Sequence, residues 1–282
     1  MIKLDKPMFE QCDVLDECLS NMKNGSRKTN ILSSKETIIE KSEEYDELAS
    51  KGKLYQVAEH SEVEGGATCA DMKALYEQKF VPKGEKGRKY YDKLMLLVPN
   101  ERCPYCGQRI VKTLDHYLPK SLYPTYTITP NNLVPACSEC NKSKLADSTN
   151  SFEEQVIHPY YDDFSEEVWI SAKVIEEDPV TFNFFVSCPE TWERKKFERA
   201  KNHFRDFELN SVYKSHSSEE YIACENRIKK IFAVGGKTAA IEFLEENIED
   251  KLCIRKNTWQ AAMYQALIDS AWYWDKYILT KV

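Results

Sequence analysis

With 282 residues, 42% of them hydrophobic and 12% aromatic, the chain can bury a sizeable core, which excludes disorder, collagen-like repeats and a peptide-sized scaffold. Lys and Arg number 39 against 46 Asp and Glu, a formal net charge of −7, so a globally basic coat for nucleic acid is excluded and any basic surface is a local patch. The longest apolar runs, Leu94 to Val98 and Val134 to Cys137, fall far short of the ~20 residues of a membrane span; Met1 to Pro7 has no signal-peptide pattern, so the expected compartment is the cytoplasm, with no membrane partner.

From the N-terminus the chain reads as helices broken by polar loops. Apolar residues at mixed three and four spacing predict helices over Cys12 to Met22, Lys35 to Lys51 and Cys69 to Phe80. Asn24-Gly25-Ser26 and Glu64-Gly65-Gly66 read as turns, and Pro82 to Gly87 as a short linker before a helical pattern over Arg88 to Leu97. This defines an N-terminal helical region, 1–97, followed by a cysteine module, 98–158. Beyond it, Val168 to Val174 and Thr181 to Val186 flank a turn at Glu176-Glu177-Asp178-Pro179 and predict a hairpin or edge pair. The helical period returns in Arg194 to Leu209, Glu219 to Val234, Lys237 to Asn247 and Trp259 to Leu279, with Gly235-Gly236 as a stop signal. Residues 159–282 are therefore expected to form a β-hairpin plus a helical region, and the fold class is α+β, mostly helical. No internal repeat is visible, which argues against a solenoid.

Ten cysteines in a chain of this length do not read as a secreted disulfide scaffold. Cys12, Cys18, Cys69, Cys188, Cys224 and Cys253 lack metal-ligand spacing and read as small buried hydrophobes or inert thiols. The other four form two C-x-x-C knuckles, Cys103-Pro-Tyr-Cys106 and Cys137-Ser-Glu-Cys140. Two such turns complete the tetrahedral sulfur shell of a structural Zn²⁺, and four sulfurs leave no open position for a catalytic water. Two redox pairs are the competing reading, against which stands the lack of a thioredoxin-like βαβ pattern around either.

Between and just after the knuckles lie Asp115-His116, Pro119-Lys120, Asn132-Leu133 and Asn141-Lys142-Ser143-Lys144. Asp115 and His116 fall at the end of a short strand, where neighbouring side chains point to opposite faces unless the backbone bends, and Pro119 is placed to set such a bend. Together with the knuckles this run resembles the HNH endonuclease superfamily, the ββα-metal nucleases, in its zinc-stapled form, over residues 100–148. Tyr123-Pro124 and His158-Pro159 further resemble HNH subunits of bacterial antiphage systems such as the Septu type. The resemblance implies a central zinc-stapled ββα-metal module flanked by helical regions. It implies that His116 is the general base, that Asp115 and Asn141 are ligands of a catalytic divalent ion, and that Asn132 braces the loop and His116.

The implied roles make chemical sense. An imidazole of ordinary pKa ~6.5 accepts a proton from water near neutrality, and hard oxygen ligands suit Mg²⁺ or Mn²⁺. Asn141 stands where the family's third letter is commonly His, which favours such a hard ion over Zn²⁺ or Ni²⁺ at this second site. The implied function is metal-dependent phosphodiester hydrolysis, with double-stranded DNA as the expected substrate, in an antiphage defence effector. The antiphage likeness also implies an ATPase or sensor subunit as partner.

Each residue has an ordinary reading beside the chemical one. His116 reads also as a hydrogen-bonded histidine, Asp115 as a turn residue, Asn132 as a loop cap and Asn141 as the N-cap of a helix beginning there. Lys120, Lys142 and Lys144 either touch phosphate or are merely solvated. His158 either reaches the metal or scissile phosphate or serves a structural turn. Basic density over Lys79, Lys83, Lys86, Arg88, Lys89 and Lys93, and again over Arg194 to Arg205, reads either as the walls of a groove for a phosphate backbone or as solvated helix faces. The competing function class is a zinc-stapled module that binds nucleic acid or a protein without turnover.

Overall fold

The computed structural model describes residues 1–144 and 149–281; residues 145–148, inside the stretch that carries the family resemblance, and residue 282 lie outside the described residues. Two compact units divide between Asp163 and Phe164. The stretches read from sequence as 1–97 and 98–158 both belong to the first unit, and the hairpin with its following helices to the second.

The first unit opens with α1 (Gln11–Ser20), α2 (Ser26–Ser33) and α3 (Lys35–Ser50). In α1 the buried Val14, Leu15, Cys18 and Leu19 recur at three and four spacing and form one stripe. Helix α2 was not expected: Asn24-Gly25-Ser26, read as a turn, is its start, and only Ile31 of its eight residues is buried. Two-residue strands β1 (Glu62–Val63) and β2 (Ala67–Thr68) close over Gly65 and Gly66 at φ 99° and 103°. Helix α4 (Cys69–Leu75) starts with a capping box in which Thr68 Oγ1 accepts the Asp71 N–H and Asp71 accepts the Thr68 N–H. It runs into one π-helical turn, Tyr76–Phe80, which buries both rings, and α5 (Arg88–Met95) follows.

The cysteine module then supplies β3 (Thr113–His116), β4 (Leu133–Ala136) and α6 (Ser138–Ser143), with β3 and β4 antiparallel and His116 opposite Leu133. Leu114 of β3 and Leu133 of β4 belong to the same buried cluster as Leu15, Ile31, Ile38, Leu75, Tyr76 and Phe80 of the helical region. A shared core is the physical reason that the helices and the module form one unit.

The second unit contains β5 (Ile170–Ile175), β6 (Thr181–Val186), α7 (Arg194–Asp206), α8 (Leu209–Ile254) and α9 (Trp259–Asp269). The hairpin turns over residues 176–180, and its buried Phe182 and Phe184 pack edge-on against Tyr221 and Tyr213 of α8. Gly235-Gly236, expected to stop a helix, does break α8: Gly236 leaves helical geometry at φ 70° and ψ −166°, so that two helical arms meet there. The helix expected over Trp259 to Leu279 ends at Asp269, and the chain continues through a π-helical turn at Tyr273–Tyr277. No helix among the described residues is long and apolar enough to cross a membrane.

Candidate functional site

The two knuckles converge. The first closes through the Gly107 N–H on the Cys103 carbonyl at 2.7 Å, with Gly107 in the left-handed region at φ 70°. In the second, Cys137 is the N-cap of α6, its sulfur accepting the Cys140 N–H at 3.3 Å. This overturns the N-cap reading of Asn141, which sits one turn inside α6. All four cysteines are buried and their sulfurs lie within 4.8 Å of one another, with no disulfide. A tetrahedron with Zn–S of ~2.3 Å spaces its sulfurs about 3.8 Å apart, so one structural Zn²⁺ fits this donor set. A single cluster of four replaces the alternative of two separate redox pairs. Hydrogen bonds among the four thiols hold Cys106 and Cys137 below the usual thiol range and push Cys103 and Cys140 above it.

Beside the cluster, β3, α4, the loop after β3 and α6 enclose a pocket of about 330 Å³ lined by Lys73, Tyr76, Asp115, His116, Lys120, Asn141 and Lys144, among others. The structure thus brings Asp115, His116 and Asn141 to one pocket. His116 Nε2 lies 2.9 Å from the Thr127 carbonyl, and a carbonyl only accepts, so Nε2 carries the proton and Nδ1 the lone pair. The ring stands edge-on to Tyr76 at 4.6 Å. Burial, aided by the Lys120 charge, pushes the His116 pKa down to about 3, so the imidazole is neutral at neutral pH.

Asp115 is buried, and one of its oxygens is already engaged. Oδ2 accepts the Tyr105 hydroxyl at 2.9 Å and lies 3.1 Å from Lys144 Nζ, which leaves Oδ1 uncommitted among the described residues. Lys144 also donates to the His116 carbonyl at 2.6 Å, tying the end of α6 to the end of β3. The Asn141 side chain has no hydrogen-bond partner among the described residues, so its carbonyl oxygen is available to a hard ion. Asp115 Oδ1 and Asn141 Oδ1 are the oxygens that would hold Mg²⁺ or Mn²⁺ here.

A family model described as HNH endonuclease matches residues 103–147. Over nearly the whole chain, protein ea31 of Escherichia phage lambda is 30% identical across 290 residues, 96% of this chain and 98% of that one. The chain belongs to the HNH endonuclease superfamily. Septu protein PtuB of Bacillus thuringiensis is 31% identical to this HNH chain over 96 residues, 32% of this chain and 37% of PtuB. No solved structure matches it.

Within the HNH module Asn132 is fully buried and ties the β3–β4 loop to itself. Its Oδ1 accepts the Leu118 N–H at 2.7 Å, and its Nδ2 donates to the carbonyls of Leu118 at 3.1 Å and Tyr126 at 3.0 Å. These bonds hold the loop, whereas the His116 ring is held by Thr127 and not by Asn132. Asn132→Ala leaves the Leu118 N–H and carbonyl unpaired, while the Tyr126 carbonyl keeps the Thr129 N–H, and is expected to destabilise the unit by about 2 kcal/mol or more, read as a lower urea midpoint.

The remaining candidates separate. Lys120 lines the pocket, 4.8 Å over the Tyr76 ring and 3.2 Å from Glu77 Oε1, whereas Lys142 is exposed and outside the lining. His158 is 2% exposed and not part of the pocket. Its Nδ1 accepts the Tyr160 N–H and its Nε2 bonds the Tyr45 hydroxyl at 3.1 Å, while its ring lies 4.0 Å from that of Tyr117. Of its two readings, the geometry matches the structural one. Three of the six upstream cations are paired: Lys79 with Glu85, Arg88 with Asp92 and Lys89 with Glu17. Sequence reasoning missed Tyr105, Tyr76, Lys73 and the Thr127 carbonyl. Only Tyr105 carried a signal, its position inside the first knuckle.

Proposed function

We propose that this HNH chain is a Mg²⁺- or Mn²⁺-dependent endonuclease that hydrolyses phosphodiester bonds of double-stranded DNA. The observation that supports it is the state of His116: its Nε2–H is committed to the Thr127 carbonyl, so a neutral ring keeps Nδ1 as a proton acceptor in the pocket it shares with Asp115 and Asn141. His116 Nδ1 takes the proton of the attacking water, and the Thr127 carbonyl stabilises the imidazolium that forms. An entering phosphodiester anion opposes the Lys120 charge and raises the basicity of the ring. A divalent ion on Asp115 and Asn141, when bound, supplies positive charge for the phosphate and the leaving oxygen. Lys73 and Lys120 hold phosphate oxygens, and Lys144 fixes Asp115 and the His116 backbone.

The test is conversion of supercoiled plasmid by the zinc-loaded chain in Mg²⁺, Mn²⁺ and EDTA arms. It is run alone and together with the ATPase or sensor subunit that this reading assigns as partner. Nicking with Mg²⁺ or Mn²⁺, none in EDTA and unchanged zinc content are expected; silence in every arm refutes the reading. One observation favours the second reading, a binding module without turnover: the Lys144 ammonium already neutralises Asp115. Plasmid retardation without cleavage in every arm would establish it.

The antiphage setting is proposed on the likeness to PtuB, while the likeness over the whole chain is to a phage protein. Lower plaquing efficiency on cells that express the chain with its partner, restored by His116→Ala, is the expected result for a cytoplasmic defence effector.

A further inference from the structure

Away from the nuclease pocket, the segment before α1, the first turn of α1, α3 and the Pro130-Asn131 step enclose a second cleft of about 380 Å³, the size of a small-ligand pocket. Gln11 lines it and is 5% exposed, yet neither Oε1 nor Nε2 has a hydrogen-bond partner among the described residues. A buried carboxamide with donor and acceptor both unmet is rare in a folded protein and marks a place where an outside group completes the bonding.

The charge of the lining says what kind of group. Three carboxylates, those of Glu10, Glu43 and Asp46, face one cation, Lys6. Asp46 spends its charge on Lys6 at 2.7 Å and takes further bonds from Asn131 and Tyr161, whereas Glu10 and Glu43 make no ion pair among the described residues. The N-terminus of α1 contributes only about half a positive charge, too little to balance two unpaired carboxylates. A phosphate-bearing ligand is repelled here and a cation attracted. Pro7, Phe9, Ile39 and Pro130 add apolar walls, against which a planar cation packs more readily than a hydrated ammonium.

We propose that this cleft binds the guanidinium group of an arginine-class ligand, with guanidinium N–H groups on Glu10, Glu43 and Gln11 Oε1, and an acceptor on the ligand, such as an amide carbonyl, receiving Gln11 Nε2–H. The group can belong to a free guanidine or to an arginine in a polypeptide. The site lies one residue from Asn132, the brace of the nuclease loop, but its assignment does not depend on the nuclease reading.

The experiment is calorimetric titration of the full-length, zinc-loaded chain with four probes: Nα-acetyl-arginine amide, agmatine, Nα-acetyl-lysine amide and dAMP. Saturable binding of the two guanidines, above lysine amide and dAMP, is expected. Equal binding of both guanidines assigns a free guanidine and tighter binding of acetyl-arginine amide a polypeptide; either upholds the site. Gln11→Leu is expected to weaken binding roughly tenfold or more and Glu43→Gln roughly fivefold. Because Gln11→Leu removes an unpartnered buried amide, its melting temperature should hold or rise, so lost binding is not lost folding. His116→Ala should bind as the parent does, which separates this proposal from the nuclease reading. No saturable guanidine binding, a preference for lysine amide or dAMP, or undiminished binding by Gln11→Leu overturns it.

Discussion

Replacing His116 by Ala is expected to lower metal-dependent plasmid nicking by roughly 10²- to 10⁴-fold, the contribution of a positioned general base. The substitution also strands the Thr127 carbonyl, which His116 Nε2 satisfies at 2.9 Å, at a cost of about 1–3 kcal/mol. His116→Gln, which keeps an N–H donor but offers no base of useful strength, is therefore measured beside it. Both variants should retain bound zinc and plasmid binding while nicking falls. If either nicks at the parental rate, the proton acceptor is another group and the assignment fails. A fall in nicking accompanied by loss of zinc in both variants would point instead to a structural role.

Stripping the zinc is expected to have the larger effect on structure. Apparent binding energies of structural Zn²⁺ in small zinc domains reach about 10–16 kcal/mol, comparable to the whole stability of many domains. Here the four cysteines flank the β3–β4 pair, whose β3 carries Asp115 and His116, and Tyr105, between the two sulfurs of the first knuckle, donates to Asp115 Oδ2 at 2.9 Å. Without such an ion the knuckles are expected to separate, Tyr105 to release Asp115, and α6 to carry Asn141 away from β3. Cys137→Ser, or chelation of the parent, should therefore abolish zinc content and nicking together and remove amide-exchange protection from β3 and β4. The hairpin and helices of the second unit should stay protected, and Cys188→Ser, at an exposed cysteine outside the cluster, should behave as the parent. Full nicking by zinc-free protein would show that the cluster does not organise the site.

Much of this arrangement was legible in the sequence because it rests on spacing. The knuckles, the Asp115-His116 pair and Asn141 are fixed by local pattern, and the helices α1, α3 and α5 follow from three and four periodicity. What was not legible depends on partners distant in sequence. Lys144 looked like a cation at a helix start, yet it lies at the helix end and turns inward, because a carboxylate and a carbonyl await it on β3. His158 carried a histidine's chemical promise, but its ring is enclosed by Tyr45, Tyr117 and Tyr161, contacts set by α3 and the module together. The cationic run of α5 reads as a nucleic-acid surface until Glu17 and Asp92 are seen beside it. A local signal also misled in one place: Asn24-Gly25-Ser26 marks a turn that happens to begin a helix, whereas Gly235-Gly236 marks a real break in α8.

The break at Gly236 has a consequence of scale. A straight helix with the 46 residues of α8 would be about 69 Å long. A compact unit the size of Phe164–Val282 is only some 35 Å across, from a radius of gyration of roughly 13–14 Å. One left-handed residue thus converts a rod twice too long for its container into two arms that fit. A β-branched residue at Gly236, unable to hold φ 70° without strain, would favour the straight rod, whose far arm could bury its apolar stripe only by exchange with a second molecule.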